Sequence, residues 1–298
     1  MTEATIGVVA VSYGSGAALD TFLDTLRAAS KHPLDVLIAD NGSTDQAPQR
    51  AAEREGVRLV STGENLGYGR AANLGAGQVG GDWIVLANPD VEWTEGAIDE
   101  LLAVADRWPR AGALGPLIRN TDGEVYPSAR ELPTLFGGIG HALCGAWWPG
   151  NPWTTTYRNE RAAPAERVAG WLSGSCLLVR RAAFESVSGF DPAYFMYFED
   201  VDLGERLAKA GWLNVYAPSA EVVHTGSHST DNHKQAMFLE HHRSAYRYLS
   251  GRYRGLRGAP VRAALWVGLL LRARLAPKLI ELAQRRKAKP AGPVDEAR

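Results

Sequence analysis

Short apolar, β-leaning runs at residues 36–39 and 84–87 read as strands buried within a sheet, the second lying in a central strand over 83–87, and residues 6–11 and 57–61 read as further strands. Between and after them, residues 17–29, 46–55, 69–77 and 94–108 read as helices, with Thr94 placed to cap the last of these. Strands alternating with helices predict an α/β fold built on a mainly parallel sheet. No internal repeat is visible.

The organisation changes after Pro109. Residues 111–165 are rich in Gly, Pro and Trp, including Gly137-Gly138 and Trp147-Trp148-Pro149-Gly150, and are expected to be loop-rich. They fit an irregular aromatic cluster or an apolar acceptor surface. A strand is expected again over 173–180, a short helix over 181–186, and a helix over 201–210 whose acidic first turn suits the dipole and which Gly211 closes. Residues 226–242, rich in His, Ser and Asp, predict a loop leading into a helix. His228, His233, His241 and His242 there lack a zinc-type spacing and read as solvated or helix-surface residues.

Composition narrows the classes. The chain has 298 residues, enough for one large α/β domain with an appendage, and its 32 Lys plus Arg nearly cancel 33 Asp plus Glu, which gives no argument for nucleic acid. Two widely separated cysteines, Cys144 and Cys176, without metal spacing, fit a reduced cytoplasmic protein. No signal-peptide pattern opens the sequence, and the longest late apolar run, 263–271, falls well short of the roughly 20 residues that span a bilayer. Basic residues dominate from Arg243 onward. Around Leu265, Trp266, Leu269, Leu270, Leu275 and Leu279 they include Arg262, Arg272, Arg274, Lys278 and Arg285, so this stretch fits either a membrane-surface helix or a helix packed on the main domain. The oligomeric state is left open, a homo-oligomer included.

Three acidic segments carry the chemistry: Ala39-Asp40-Asn41-Gly42-Ser43, Asn88-Pro89-Asp90 and Glu199-Asp200-Val201-Asp202. The first two follow strand C-termini, where open α/β sheets bind ligands. A nucleotide base, a metal-bound diphosphate and a hydroxyl awaiting deprotonation need one such group each, which points to a nucleotide-sugar transferase. Asp40 also fits a plain turn residue, and the acids of 199–202 also fit a helix start.

With Val11-Ser12-Tyr13, the stretch from Asn65 through Gly67, Arg70 and Asn73, Trp171-Leu172-Ser173-Gly174-Ser175 and Tyr197-Phe198 in the same order, the chain resembles the inverting glycosyltransferases of family 2 over residues 6 to about 230. Asn88-Pro89-Asp90 together with Phe195-Met196-Tyr197-Phe198 looks most like the bacterial rhamnosyltransferases in that family. The resemblance implies a GT-A fold over residues 1–235, with a nucleotide-sugar half (1–110) and an acceptor half (111–235), and a basic helical region over 236–298. It implies transfer of L-rhamnose from dTDP-L-rhamnose to N-acetylglucosaminyl-diphospho-polyprenol, the cell-wall arabinogalactan linker, by a peripheral enzyme on the inner face of the plasma membrane. By the same resemblance, Ser12, Tyr13 and Asp40 line the base pocket, and Asn65, Gly67, Arg70, Asn73 and Asn88 serve the donor. Asp90 and His224 hold Mg2+ or Mn2+, Asp200 is the general base with Glu199 beside it touching the acceptor sugar, and Trp171, Ser173 and Gly174 border the acceptor. Asn65 to Asn73 fits a glycine-softened helix start equally, and Trp171 an ordinary core position.

Other readings remain at this stage. A family 2 enzyme could use another nucleotide-sugar for a surface polysaccharide. Gly14-x-Gly16 after the first strand, with Asp40 further on, is a partial NAD-binding fingerprint, but Leu19 occupies its third small position. A binding protein that lost its chemistry would leave the intact acidic set without a use.

Overall fold

The computed structural model describes residues 5–133, 164–226 and 234–287. Cys144, the tryptophan-rich 147–153, His228, His233 and the side chains beyond Arg274 lie outside the described residues. The chain divides into two compact units, Met1–Lys234 and Gln235–Arg298.

In the first unit the order is β1 (Ile6–Ser12), α1 (Ala18–Leu26), β2 (Leu34–Asp40), α2 (Ala47–Ala52), β3 (Val57–Ser61), α3 (Tyr68–Ala76), β4 (Trp83–Ala87), β5 (Val91–Trp93), α4 (Ala97–Arg107) and β6 (Ala111–Arg119). There follow β7 (Val125–Tyr126), β8 (Ala129–Arg130), β9 (Arg167–Ala169), β10 (Trp171–Leu172), β11 (Cys176–Arg180), α5 (Arg181–Ser186), α6 (Glu199–Lys209) and β12 (Leu213–His224). The main sheet runs β3-β2-β1-β4-β11-β6-β12-β5; β8 and β10 form a separate pair. Strands β3, β2, β1 and β4 are parallel, β11 is antiparallel to both its neighbours, and β12 is parallel to β6.

Every residue of β1 is buried because both faces of the sheet are covered. Val8 and Ala10 enter one core with Phe22 and Leu101, while Val9 and Val11 enter the other with Leu37 and Phe190. The α1 helix forms because Leu19, Phe22, Leu23 and Leu26 fall on one stripe.

Three expectations change, two of them in this unit. Residues 111–119 are not loop but a buried strand, β6. Gly112 and Gly115 look like breakers, yet a Cβ on Gly112 would lie 2.7 Å from the Trp212 Cβ and one on Gly115 3.1 Å from Leu172, so close packing sets these positions. Thr94 does not cap α4: its hydroxyl donates to the Glu221 carbonyl at 2.6 Å, and the helix starts after Gly96 at φ 70°.

The second unit holds α7 (Lys234–Ser250) and α8 (Ala259–Lys287). His242 is buried rather than solvated, its Nδ1 2.7 Å from the Phe238 carbonyl. No helix among the described residues is long and apolar enough to cross a membrane.

Candidate active site

The C-terminal ends of β1 and β2 hold the first group of residues. Asp40 is 5 % exposed, and its Oδ1 accepts the Ser43 N–H at 2.9 Å, so the Asn-Gly turn itself orients the carboxylate. Ser12 is fully buried and shares a 2.5 Å hydrogen bond with Ser15, whereas Tyr13 beside it is exposed. The neighbouring Gly14 N–H donates to Ser43 Oγ and the Gly16 N–H to Asp45 Oδ2. The glycine turn is therefore tied to the 43–45 loop, and Leu19, where the dinucleotide fingerprint needs a small residue, is sealed in the core. The oxidoreductase reading fails on these contacts.

The second group forms where β4 turns into β5. Antiparallel pairing of β5 with β12 sets His224 opposite Val91, which brings together residues far apart in sequence. His224 Nε2 lies 3.1 Å from Asp90 Oδ1 and 3.2 Å from Asn88 Nδ2. The turn is fixed by backbone: the Thr225 N–H and hydroxyl both donate to the Asp90 carbonyl. With a proton on Nε2 the ring donates to Asp90 Oδ1; with a lone pair there it can accept from the Asn88 amide or face a cation beside Asp90. One hard oxygen and one imidazole nitrogen side by side fit a divalent ion that shares its remaining positions with water and phosphate. No group of three or more His, Cys, Asp or Glu side chains suited to a metal occurs among the described residues.

The third group opens α6. Tyr197 and Phe198 both have φ of 66°, a left-handed conformation that costs about 1–3 kcal/mol per residue and that surrounding contacts must hold. Asp200 is half-buried; its Oδ2 accepts the Gly174 N–H at 3.1 Å and its Oδ1 the Val201 N–H at 2.8 Å. Burial raises the Asp200 pKa, while those N–H groups and Arg130 pull it down. Glu199 is 7 % exposed and its Oε2 is buried without a hydrogen-bond partner. Burial first, and Asp200 second, raise its pKa, which favours a neutral acid. Asp202 is taken by Arg206, 2.6 Å away, within the helix. The helix is itself seated by Asn214, a buried amide on β12 that donates to the Gly170 and Gly204 carbonyls.

The segment from Asn65 to Asn73 is held by hydrogen bonds to the neighbouring loops. Asn65 Oδ1 accepts from Asn41 Nδ2 and the Gly67 N–H. Gly67, at φ 86°, lies so close to the Phe195 carbonyl that a Cβ would overlap it. Arg70 donates from Nε to the Pro192 carbonyl, and Asn73 exchanges two hydrogen bonds with the Phe190 backbone, at 2.8 and 2.9 Å. Gly67, Arg70 and Asn73 thus hold the loop that leads into Glu199 and Asp200, while Asn65 ties the segment to Asn41. Trp171 is buried, with its indole N–H on the Glu131 carbonyl and Arg130 over its ring at 5.4 Å. Ser173 Oγ is 3.1 Å from Ser175 Oγ. Arg130 and Tyr68 adjoin the acidic pair although no motif singles them out. Cys176 is a core thiol whose pKa burial raises.

A mainly parallel sheet flanked by helices, with Asp40, the Asp90 and His224 pair and the acidic start of α6 at the ends of its elements, is a GT-A glycosyltransferase fold. The chain belongs to glycosyl transferase family 2, whose model matches residues 7–188; the glycosyl transferase family group 2 model matches residues 151–280. It is 54 % identical over 295 residues, 95 % of this chain and 96 % of the relative, to the N-acetylglucosaminyl-diphospho-decaprenol L-rhamnosyltransferase of Mycobacterium tuberculosis. It is 27 % identical to rhamnosyltransferase WbbL of Escherichia coli over 82 % of this chain and 92 % of that one. The fold is similar to that of the mannosyltransferase PcManGT of Pyrobaculum calidifontis, solved with GDP-Man and Mn2+, at TM-score 0.55 and 18 % identity over 98 % of this chain and 77 % of that one.

Proposed function

We propose that this chain transfers L-rhamnose from dTDP-L-rhamnose to N-acetylglucosaminyl-diphospho-polyprenol in cell-wall linker synthesis. The observation that carries this reading is the end-to-end likeness to a relative whose name gives both the sugar and the lipid-linked acceptor. The site supports the chemistry. Asp40 accepts from the ring N–H of the pyrimidine, with Ser12 and Tyr13 alongside. Asp90 and His224 would hold a Mg2+ or Mn2+ ion, and Asn88, whose amide lies against His224, would meet the donor sugar or a water. When bound, that ion neutralises the negative charge that grows on the diphosphate as the glycosidic bond breaks.

Asp200 takes the proton from the acceptor hydroxyl as that oxygen attacks the anomeric carbon on the face opposite the diphosphate, so the configuration inverts. The two backbone N–H groups hold the carboxylate in one orientation for this transfer. Glu199, buried and raised in pKa, keeps its proton beside the base, and Trp171, Ser173 and Gly174 border the acceptor side.

Parallel reactions with dTDP-rhamnose, UDP-glucose, UDP-galactose and UDP-GlcNAc and a lipid-diphosphate GlcNAc acceptor, following nucleoside diphosphate release, test the donor. Release from dTDP-rhamnose is expected. Release from a UDP-sugar alone would overturn the rhamnose assignment and leave the transferase class standing.

The acceptor's lipid also gives α8 a use. Trp266, Val267 and Leu271 are exposed on it, with Arg272 and Arg274 beside them, which suits a helix lying in the interface of the inner leaflet. Trp266→Asp combined with Leu271→Asp is expected to reduce co-sedimentation with anionic vesicles several-fold while a soluble acceptor analogue is still used. Each basic residue near such a surface adds about 1 kcal/mol. Unchanged sedimentation would assign the helix a packing role instead.

A further inference from the structure

Tyr68, the first residue of α3, is buried, with its ring edge-on to Phe190 at a centroid distance of 5.7 Å. Its hydroxyl donates to the Gly174 carbonyl at 2.7 Å, and the N–H of that same glycine donates to Asp200 Oδ2 at 3.1 Å. Gly174 sits in the turn between β10 and β11, close enough that an added Cβ would lie 3.4 Å from the Asp200 Cβ and 3.7 Å from the Tyr68 ring. The same helix holds the loop on the other side of the base, through Gly67 and Tyr68 at Phe195, Arg70 at Pro192 and Asn73 at Phe190.

We infer that Tyr68 is a positioning residue for the general base: by pinning the Gly174 carbonyl, it fixes where the Gly174 N–H meets Asp200 and so aims the carboxylate at the acceptor hydroxyl. This rests on Asp200 being the base. The phenol does not touch substrate and moves no proton, because its own hydrogen is spent on the Gly174 carbonyl. Burial, then Glu199, raises the Tyr68 pKa, so the hydroxyl stays a donor through the working pH range. The other titratable and charged groups around this pair are Glu199 on α6, Arg130 on β8 and Cys176 on β11.

Tyr68→Phe removes one oxygen and keeps the ring against Phe190. In the full-length enzyme kcat is expected to fall about tenfold with the donor KM unchanged, since a small displacement of a catalytic group weakens turnover more than binding. The acidic limb of the kcat profile is expected to move to higher pH, because a Gly174 N–H that is no longer held at Asp200 Oδ2 stabilises the ionised carboxylate less and so raises its pKa. Asp200→Asn is measured alongside. A wild-type kcat with the limb in place in Tyr68→Phe, beside an inactive Asp200→Asn, would overturn the role of Tyr68 and leave the base standing. A lowered kcat with an unmoved limb and a lowered thermal midpoint would reduce Tyr68 to a packing residue and also overturn it. An active Asp200→Asn would remove the base reading and the inference with it.

Discussion

Asp200→Asn is expected to lose turnover by about 10²-fold or more, the usual scale of a general base, while nucleotide affinity stays unchanged. The amide keeps the shape of the carboxylate and removes its basicity. It still accepts through one oxygen, so one of the two hydrogen bonds from Gly174 and Val201 survives and the helix start stays in place. Glu199→Gln separates the two acids. Because burial raises the Glu199 pKa, the folded state binds that proton more tightly than the unfolded chain does. The stability this contributes is complete below the unfolded carboxyl pKa and is lost as the pH rises through the raised folded value. Glu199→Gln, which cannot ionise, is therefore expected to resist alkaline unfolding better than the parent in a pH series of thermal melts, and to retain turnover. A dead Glu199→Gln beside an active Asp200→Asn would exchange their roles.

Asp90→Ala is expected to abolish divalent-dependent transfer. Neutralising the departing diphosphate supplies several kcal/mol, so about 10²- to 10⁴-fold is lost at saturating acceptor. The fold has little reason to suffer, because Thr225 is held by the Asp90 backbone carbonyl, which the substitution leaves in place. His224→Ala removes the other converging ligand but spares the carboxylate, and a smaller loss with a higher Mn2+ requirement is expected. A titration of rate against Mn2+ for the three proteins reads both effects. Near-parent turnover in Asp90→Ala would remove the metal from these residues.

Much of the parallel half of the sheet is legible in the sequence because strands such as 83–87 are apolar runs that stop at polar turns, and the partly exposed edge strand β3, which carries Arg58, also falls at the expected 57–61. Strand β6 is not legible, since the glycines and proline that its tight neighbours demand carry the composition of a loop. Asp90 and His224 have no local signal linking them. Only the pairing of β5 with β12, a long-range property of the sheet, closes the distance, and the family resemblance named them where spacing does not. The hydrogen bonds of Arg70 and Asn73 to the backbone of residues 192 and 190 are not legible either, because those partners are distant in sequence. The role of Tyr68 is not legible among its neighbouring glycines because an aromatic residue at a helix start reads as core, and its hydroxyl's partner, Gly174, is distant in sequence.

The most direct test of the account is the product itself. The full-length chain is incubated with dTDP-L-rhamnose, Mn2+ and N-acetylglucosaminyl-diphospho-polyprenol, and the lipid product is analysed by mass spectrometry and anomeric NMR. The account predicts one deoxyhexose added to the lipid-linked GlcNAc, with anomeric configuration opposite to that of the donor. An unmodified acceptor under conditions where another nucleotide-sugar is transferred, or a product with the donor's configuration retained, would contradict it.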